Sequence, residues 1–271
     1  MRVRLSPTRA AWLAAVPLLA AACSGGTSPS TAPSAASSAG AEAAMAVGVS
    51  GLQNGATVTD TSVTLSVSAK GYQLSCAEAG KPNKAGVGHY HIELDHALVN
   101  MYCTPTAAIS LQNVALGKHT FTVLATKNDH DEFKDTAVAI DFTYQSSNPL
   151  PDIKAAANPG TPSIKILSPA SGATVSGDFT VKVQISNFTV SEALFGKAPL
   201  TGYGHWHLNV DSTTQGMMGM ATMLGMSGTD SFLASTLGLS PGKHAFFVIL
   251  VDDQHAPLNP PIEAQVDLVV Q

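Results

Sequence analysis

The chain has 271 residues, of which 12% are charged and 6% are aromatic, and its formal net charge is −5 at pH 7. The negative charge argues against a nucleic-acid partner, because such a partner requires a basic face. The length allows two ordinary domains. The low content of charged residues is more typical of an exported β-rich protein than of a helical cytosolic enzyme.

The first 22 residues have the pattern of a secretory signal. Arginines at positions 2, 4 and 9 precede a short apolar run that ends in small residues. This run is too short to remain as a membrane anchor. The ending Leu-Leu-Ala-Ala-Ala-Cys resembles a bacterial lipoprotein processing site, although Ala20 stands where leucine is usual. The resemblance implies a lipid on Cys23, with simple secretion as the alternative. We therefore expect an extracytoplasmic protein of the bacterial cell envelope that is attached to the membrane through its N-terminal lipid.

The rest of the chain divides into a tether, two domains and a linker. Residues 23–46 are mostly Ser, Ala, Gly, Thr and Pro, which is typical of a flexible tether. Residues 47–144 and 163–271 each contain short alternating apolar runs bounded by Gly and Pro turns, and residues 145–162 read as a linker. Period-two alternation predicts half-buried strands. The fold class is therefore all-β, with two tandem immunoglobulin-like antiparallel β-sandwiches.

A ten-residue stretch occurs once in each domain, at residues 86–95 and 202–211, and five of its positions are identical. Both copies read Gly-x-Gly-His-aromatic-His and end in aspartate. Because side chains alternate in a strand, His89 and His91 share one face, as do His205 and His207. The apolar residues between them are expected to face the core, which puts the histidines on the polar face.

A third histidine accompanies each pair. His130 and His255 follow a strand that begins at a Leu-Gly-Lys-His or Pro-Gly-Lys-His sequence. If this strand runs antiparallel to the His-x-His strand, its end lies beside the two histidines. Three imidazoles on one face provide most of a site for copper or zinc. The predicted metal ligands are His89, His91, His130, His205, His207 and His255.

Other interpretations of these histidines remain open. They could form a hydrogen-bonded structural cluster in which Asp95 and Asp211 cap turns, or a site for an organic ligand. His119 and His244 open their strand, roughly 23 Å from its far end at the usual rise per residue. We expect them to be packing residues rather than ligands, although they are retained as weaker metal candidates.

Methionines are concentrated in the second domain, at positions 217, 218, 220, 223 and 226. Four of them are spaced by three residues, which favours a short apolar helix that packs over the sandwich. Thioethers are also soft ligands for Cu(I), so Met217 and Met220 are candidate ligands.

Two cysteines remain after the signal is removed, Cys76 and Cys103, and both lie in the first domain. In an oxidising compartment such a pair predicts a disulfide. A thiolate metal site is the alternative.

The Gly-x-Gly-His-x-His strand, the Gly-Lys-His strand and the final histidine resemble an uncharacterised family of secreted bacterial immunoglobulin-like domains. The resemblance covers roughly residues 48–144 and 163–270 and implies an envelope protein with no assured activity. The His-x-His strand alone is also similar to copper/zinc superoxide dismutase, but no bridging histidine or active-site arginine can be assigned.

The sequence therefore predicts a cell-envelope lipoprotein with two duplicated histidine sites that capture or handle copper or zinc. The alternative is a structural or adhesive envelope module whose histidines serve only the fold. Catalysis is not expected, because no nucleophile with a base, phosphate-binding loop or pair of acid/base carboxylates is recognisable.

Overall fold

The computed structural model describes residues 45–271. The predicted signal peptide, Cys23 and the tether up to residue 44 lie outside these described residues. In the described part, no helix is long and apolar enough to cross a membrane.

The regular secondary structure of the described chain is almost entirely β-strand. The first repeat contains β1 (Ala46–Ser50), β2 (Ala56–Val58), β3 (Ser62–Lys70), β4 (Gln73–Leu74), β5 (Val87–Leu94), β6 (Ala97–Tyr102), β7 (Thr106–Ser110), β8 (Gly117–Thr126) and β9 (Val138–Tyr144). The second contains β10 (Ser163–Ser168), β11 (Thr174–Val175), β12 (Asp178–Ser186), β13 (Thr189–Val190), β14 (Tyr203–Val210), β15 (Met223–Ser227), β16 (Ser231–Ser235), β17 (Gly242–Val251) and β18 (Glu263–Val270). Three short 3-10 helices span Lys134–Thr136, Glu192–Leu194 and Met217–Thr222.

Each repeat folds into two sheets that pack face to face. In the first repeat, β1, β3 and β7 form one sheet, and β2, β9, β8, β5 and β4 form the other, with β6 also paired to β5. The alternation in β3 is the reason for this arrangement, because Val63, Leu65 and Val67 are buried while the residues between them are exposed or partly exposed. The second repeat has the same strand order. The prediction of two immunoglobulin-like β-sandwiches is confirmed.

The antiparallel neighbour assumed for the His-x-His strand is also present. In the first repeat β5 pairs with β8, and His89 lies opposite Thr126 at the end of β8. In the second repeat β14 pairs with β17, and His205 lies opposite Val251. The loops that carry the third histidines therefore leave the sheets next to the histidine pairs.

The two sandwiches pack against each other. The Lys81 ammonium donates hydrogen bonds to the carbonyl oxygens of Ser235, at 2.7 Å, and Leu237, both in the second repeat. Gly80 lies against the backbone of Met223. Phe195, Met220, Met223 and Met226 of the second repeat belong to the apolar core of the first. The two repeats are therefore docked rather than separate units.

The segment between the sandwiches follows the surface of the first. Gln112 donates a hydrogen bond to the Pro151 carbonyl at 2.8 Å. Asn113 holds Ile153 with two hydrogen bonds, one to its carbonyl and one from its amide. Three side-chain hydrogen bonds therefore hold the start of this segment against the loop between β7 and β8.

The predicted disulfide joins Cys76 to Cys103, whose Cα atoms are 5.4 Å apart. It connects the loop after β4 to the residue that follows β6 and closes a loop with a sequence separation of 27. We expect replacement of both cysteines by alanine to lower the free energy of unfolding by roughly 3–4 kcal/mol, because the unfolded chain gains loop entropy. Urea unfolding of the two proteins measures the difference. Equal stabilities would contradict a structural role for the bond.

Candidate metal centre

Three imidazoles converge in the first sandwich. His89 and His91 project from the same face of β5, and His130 comes from the turn after β8. The Nε2 atom of His89 lies 3.1 Å from Nε2 of His91 and 3.1 Å from Nδ1 of His130. The third side of the triangle, from His91 Nε2 to His130 Nδ1, measures 3.2 Å. The three side chains are buried together and could hold a metal ion.

The second sandwich contains the same arrangement. His205 Nε2 lies 3.1 Å from His207 Nε2 and 2.9 Å from His255 Nδ1, and the remaining side measures 3.2 Å. These three residues are also buried and could hold a metal ion. We call the two groups the first and second histidine clusters. The sequence-based expectation that a third histidine joins each pair agrees with these distances.

Hydrogen bonds outside the first cluster decide where its protons lie. His130 Nε2 is 2.7 Å from the Met223 carbonyl oxygen, so this nitrogen carries the ring proton and donates a hydrogen bond to that oxygen. His91 Nδ1 is 2.8 Å from the Glu132 carboxylate and also donates. In their neutral forms both rings then direct an unprotonated nitrogen to the centre of the cluster. Of the three rings, only His89 can then place an N–H group at the centre of the cluster. The unprotonated nitrogens of His91 and His130 would still face each other, lone pair against lone pair.

A metal ion would relieve this conflict, because it would accept all three lone pairs. A triangle with sides of about 3.1 Å has its corners roughly 1.8 Å from its centre, which is slightly less than the usual metal–nitrogen bond of about 2.0–2.1 Å. The three nitrogens would therefore hold an ion with little change in their spacing. The proton displaced from His89 Nε2 would move to Nδ1, which is buried and has no hydrogen-bond partner among the described residues.

Burial keeps five of the six imidazoles neutral, as the lowered pKa values of His89, His130, His205, His207 and His255 indicate. Burial, reinforced by the charges of neighbouring histidines, holds the pKa of His89, His205 and His207 well below the usual 6.5. Burial also lowers the pKa of His130 to about 3 and that of His255 to about 4. Neutral imidazole is the form that binds a metal ion, so these residues need little deprotonation at neutral pH.

The backbone at the third histidine is unusual in both clusters. His130 has φ of 64° and His255 has φ of 67°, in the left-handed region that non-glycine residues rarely adopt. Such a conformation costs about 1–3 kcal/mol and persists where the surroundings impose it. It allows each turn to direct an Nδ1 atom back toward the histidine pair of its own sheet.

Each cluster also depends on the opposite sandwich. His130 of the first repeat donates to the Met223 carbonyl in β15 of the second. His255 of the second repeat donates to the Leu98 carbonyl in β6 of the first, at 2.7 Å. Met223 lies opposite Asn209 in β14, and Leu98 lies opposite Glu93 in β5. Asn209 and Glu93 are the same position of the repeated stretch, so the two carbonyls occupy equivalent registers. The tautomer of each third histidine is therefore set across the interface between the sandwiches.

The two clusters differ in their surroundings. Glu132 accepts a hydrogen bond from His91, and this bond lowers the pKa of the Glu132 carboxyl. Glu132 pairs with Thr126 in an isolated β-bridge at the end of β8. The equivalent bridge at the end of β17 pairs Val251 with Pro257, which has no carboxylate. There Phe195 packs on His205 instead, with ring centroids 4.3 Å apart. Glu132 is not among the residues predicted from the sequence, although its position two residues after His130 is a usable signal.

The prediction that the histidines lie on a polar face is wrong. The face that carries the histidines was taken as polar, yet His89 and His91 are both 0% exposed. The opposite face, with Tyr90 and Ile92, is also fully buried. Each His-x-His strand is covered on both faces, because the opposite sandwich lies against each histidine cluster, with β15 contacting His130 and β6 contacting His255.

The aspartates that end the repeated stretch are not in the clusters. Asp95 follows β5 in a turn with φ of 51°, and it accepts hydrogen bonds from His119 at 2.6 Å and from the Thr120 amide at 2.9 Å. Asp211 accepts equivalent bonds from His244 and the Ala245 amide. His119 and His244 are therefore bonded to a turn aspartate rather than grouped with the other histidines.

The pairing of His244 with Asp211 predicts a pH-dependent contribution to stability. Burial acts to lower the pKa of His244, but hydrogen bonds to Asp211 and Ser240 outweigh it, so the folded pKa is raised above 6.5. Folding then favours the protonated form. The stabilisation is fully present below the unfolded pKa and is lost as the pH rises through the folded value.

We expect His244→Ala to lower the free energy of unfolding by about 1–2 kcal/mol at pH 5.5, because a charge-assisted hydrogen bond is lost. The loss should shrink above pH 8. Urea unfolding at the two pH values measures it. A deficit that grows with pH would contradict this assignment.

The methionine-rich segment does not form the predicted packing helix. A 3-10 helix spans only Met217–Thr222, and Met223 and Met226 lie in β15. The glycines at 216 and 219 have positive φ, which an α-helix does not accommodate. Met220 is 2% exposed and packs in the apolar core of the first repeat. The side chain of Met217 lies outside the described part of the chain, so its proposed ligand role stays a prediction.

Comparisons with known proteins assign neither a family nor a function to the chain. No protein-family model matches the chain, and no curated protein matches its sequence. Among solved structures, it is similar to the fibronectin(III)-like modules of Clostridium thermocellum CbhA, with 14% identity, a TM-score of 0.27 and coverage of 83% of this chain and 94% of that one. It is also similar to a putative membrane-anchored protein from Corynebacterium diphtheriae, with 10% identity and a TM-score of 0.23.

A third similar structure is the BSP domain of a biofilm-associated protein, with 15% identity and a TM-score of 0.22. Each of the last two matches covers 83% of this chain. They cover only 58% of the Corynebacterium diphtheriae protein and 29% of the protein that contains the BSP domain. These low identities and TM-scores carry no argument about function. The resemblance to superoxide dismutase is not shown. The chain is an all-β protein of tandem immunoglobulin-like sandwiches with two three-histidine groups that could hold metal ions.

Proposed function

We propose that this protein is an exported envelope lipoprotein that binds one copper or zinc ion in each histidine cluster and retains it. Its role is the capture or handling of metal, without catalysis. Two ions per chain are expected, one for each sandwich.

The observation that carries this proposal is the outward hydrogen bonding of His91, His130 and His255. In the first cluster, Glu132 and the Met223 carbonyl hold two protons on the outer nitrogens, so that unprotonated nitrogens meet inside. Metal-binding histidines characteristically donate their other N–H to a carboxylate or a backbone carbonyl. A purely structural cluster gains nothing from two lone pairs placed 3.2 Å apart in a buried site.

The closed character of the clusters favours retention over catalysis. The six histidines are between 0% and 6% exposed. Catalytic metal sites keep a position open to substrate, whereas structural and storage sites are closed. An ion in either cluster would be released only when the loops or the two sandwiches open.

The proposed location is supported by the sequence and by the disulfide. A disulfide between Cys76 and Cys103 is typical of proteins in an oxidising compartment. The predicted signal peptide would direct the chain to such a compartment. The lipid on Cys23 would attach the chain to the membrane. Mass spectrometry of the mature N-terminus tests this attachment, and an unmodified or differently cleaved terminus would contradict it.

The function is tested by metal stoichiometry. We expect protein isolated from its native envelope to contain two equivalents of copper or zinc by elemental analysis. His207→Leu should retain one equivalent, because it removes one nitrogen from the second cluster and leaves the first intact. Leucine is chosen because His207 is only 3% exposed and alanine would leave a cavity.

His244→Ala provides the matched control, since this histidine also lies in the second sandwich but is bonded to Asp211. It should retain both equivalents. If neither the native protein nor metal-reconstituted protein contains bound metal, the clusters are structural. The alternative of a structural or adhesive envelope module would then be preferred.

A further inference from the structure

We infer that Met101 and Met226 supply a thioether to the first and second cluster, respectively, and thereby make both sites selective for Cu(I). The inference rests on the proposed metal-binding function and identifies the ion that the two sites prefer.

Strand register places each methionine beside a site histidine. In the pairing of β5 with β6, Met101 lies directly opposite His91. In the pairing of β14 with β15, Met226 lies directly opposite His207. Residues opposite each other in antiparallel strands project from the same face with Cβ atoms about 4.5–5.5 Å apart. A methionine side chain is long and flexible enough to reach an ion from that distance.

The two repeats have little else in common on these strands. Four registers are common to both pairings, and Val99 and Leu224 lie at the irregularity within each. Of the five aligned positions, Leu98 to Tyr102 and Met223 to Ser227, only the methionine is identical in both. Met101 lies ten residues after His91, whereas Met226 lies nineteen after His207, because the second hairpin carries a longer connection. The methionine occupies the same register despite this difference in length. Both methionines are 8% exposed.

The chemistry of such a donor set favours Cu(I) over Zn(II). A thioether is a soft ligand that suits Cu(I), whereas zinc sites use thiolate, imidazole or carboxylate ligands. In the second cluster, three imidazoles and a thioether are all neutral, so a divalent ion would leave two uncompensated charges in a buried site. In the first cluster the Glu132 carboxylate offsets one of them. A monovalent ion costs less to desolvate. The second cluster should therefore show the stronger preference for Cu(I), because Pro257 replaces Glu132 there.

The test compares Cu(I) and Zn(II) binding by the full mature chain with that of the double variant Met101→Leu/Met226→Leu. Leucine conserves volume, so the fold should be maintained. Anaerobic titrations against a chromophoric Cu(I) chelator, and separately against a Zn(II) chelator, give the two affinities. We expect the Cu(I) affinity to fall by about tenfold or more and the Zn(II) affinity to stay within about threefold.

Met45→Leu is the matched control. Met45 is 2% exposed and packs in the same apolar core, but it lies against Gly88, on the face of β5 opposite the histidines. This variant should bind Cu(I) as the parent protein does. X-ray absorption of the copper-loaded parent protein provides a measurement that needs no variant, and it should show sulfur in the copper shell.

The possible outcomes separate this inference from the function on which it rests. A copper shell of nitrogen only, with equal affinities in the double variant, would overturn the role of the methionines and leave the histidine sites intact. Equal losses of Cu(I) and Zn(II) affinity would also overturn it, because the methionines would then act through packing. Failure of the parent protein to bind either ion would refute the proposed function itself.

Discussion

Saturation of both histidine clusters with metal is expected to raise the free energy of unfolding by several kcal/mol. An ion that binds only the folded protein stabilises it by about 4 kcal/mol per site when the free ion exceeds the dissociation constant 1,000-fold. Two sites would contribute about twice that if they are independent. Because His130 and His255 are each bonded to the opposite sandwich, the ions should stabilise the docked pair as a whole. Thermal and urea unfolding with metal and with chelator measure the effect.

The control for this prediction removes one ligand from each cluster. His89→Leu/His205→Leu leaves two imidazoles per site, so the same addition of metal should raise its stability by much less. An equal rise in the parent protein and in this variant would place the bound metal elsewhere on the chain. An unchanged melting curve in the parent protein would refute the metal sites.

Substitution of a glycine at the interface is expected to weaken metal binding without touching a ligand. Gly80 has φ of 70°, and a Cβ atom at this position would collide with the carbonyl group of Met223. That carbonyl accepts the hydrogen bond from His130. Gly80→Ala should therefore separate the sandwiches locally. The hydrogen bond that holds the proton on His130 Nε2 would then be lost. We expect a loss of about 3 kcal/mol or more in stability, from backbone strain and the displaced contact together.

The matched control is Gly55→Ala. Gly55 has a similar φ of 79°, but nothing lies within 4 Å of a Cβ atom built there. It should cost only the backbone strain, about 1–2 kcal/mol, and leave two metal equivalents. Metal titration and urea unfolding of both variants distinguish them. If Gly80→Ala binds metal as tightly as Gly55→Ala, the interface does not support the first cluster.

Local patterns in the sequence were sufficient for the strands and for most of each cluster. Alternation with a period of two identified β5 and β14 and placed His89 beside His91 and His205 beside His207. The antiparallel return of β8 and β17 then brought His130 and His255 to the pairs. Both deductions depend on the short-range geometry of strands, and that geometry is the same in every antiparallel sheet.

The sequence by itself therefore determined the all-β class, the duplicated histidine groups and the cysteine pair that forms the disulfide. Only the tertiary structure decided that the histidine faces are buried, that the Leu98 and Met223 carbonyls set the outer protons, and that Glu132 orients His91. It also placed Met101 and Met226 in register with the site histidines. These features arise from the docking of one sandwich on the other and from the register of β6 and β15. Both are contacts between distant segments, and the periodicity of a single strand carries no information about them.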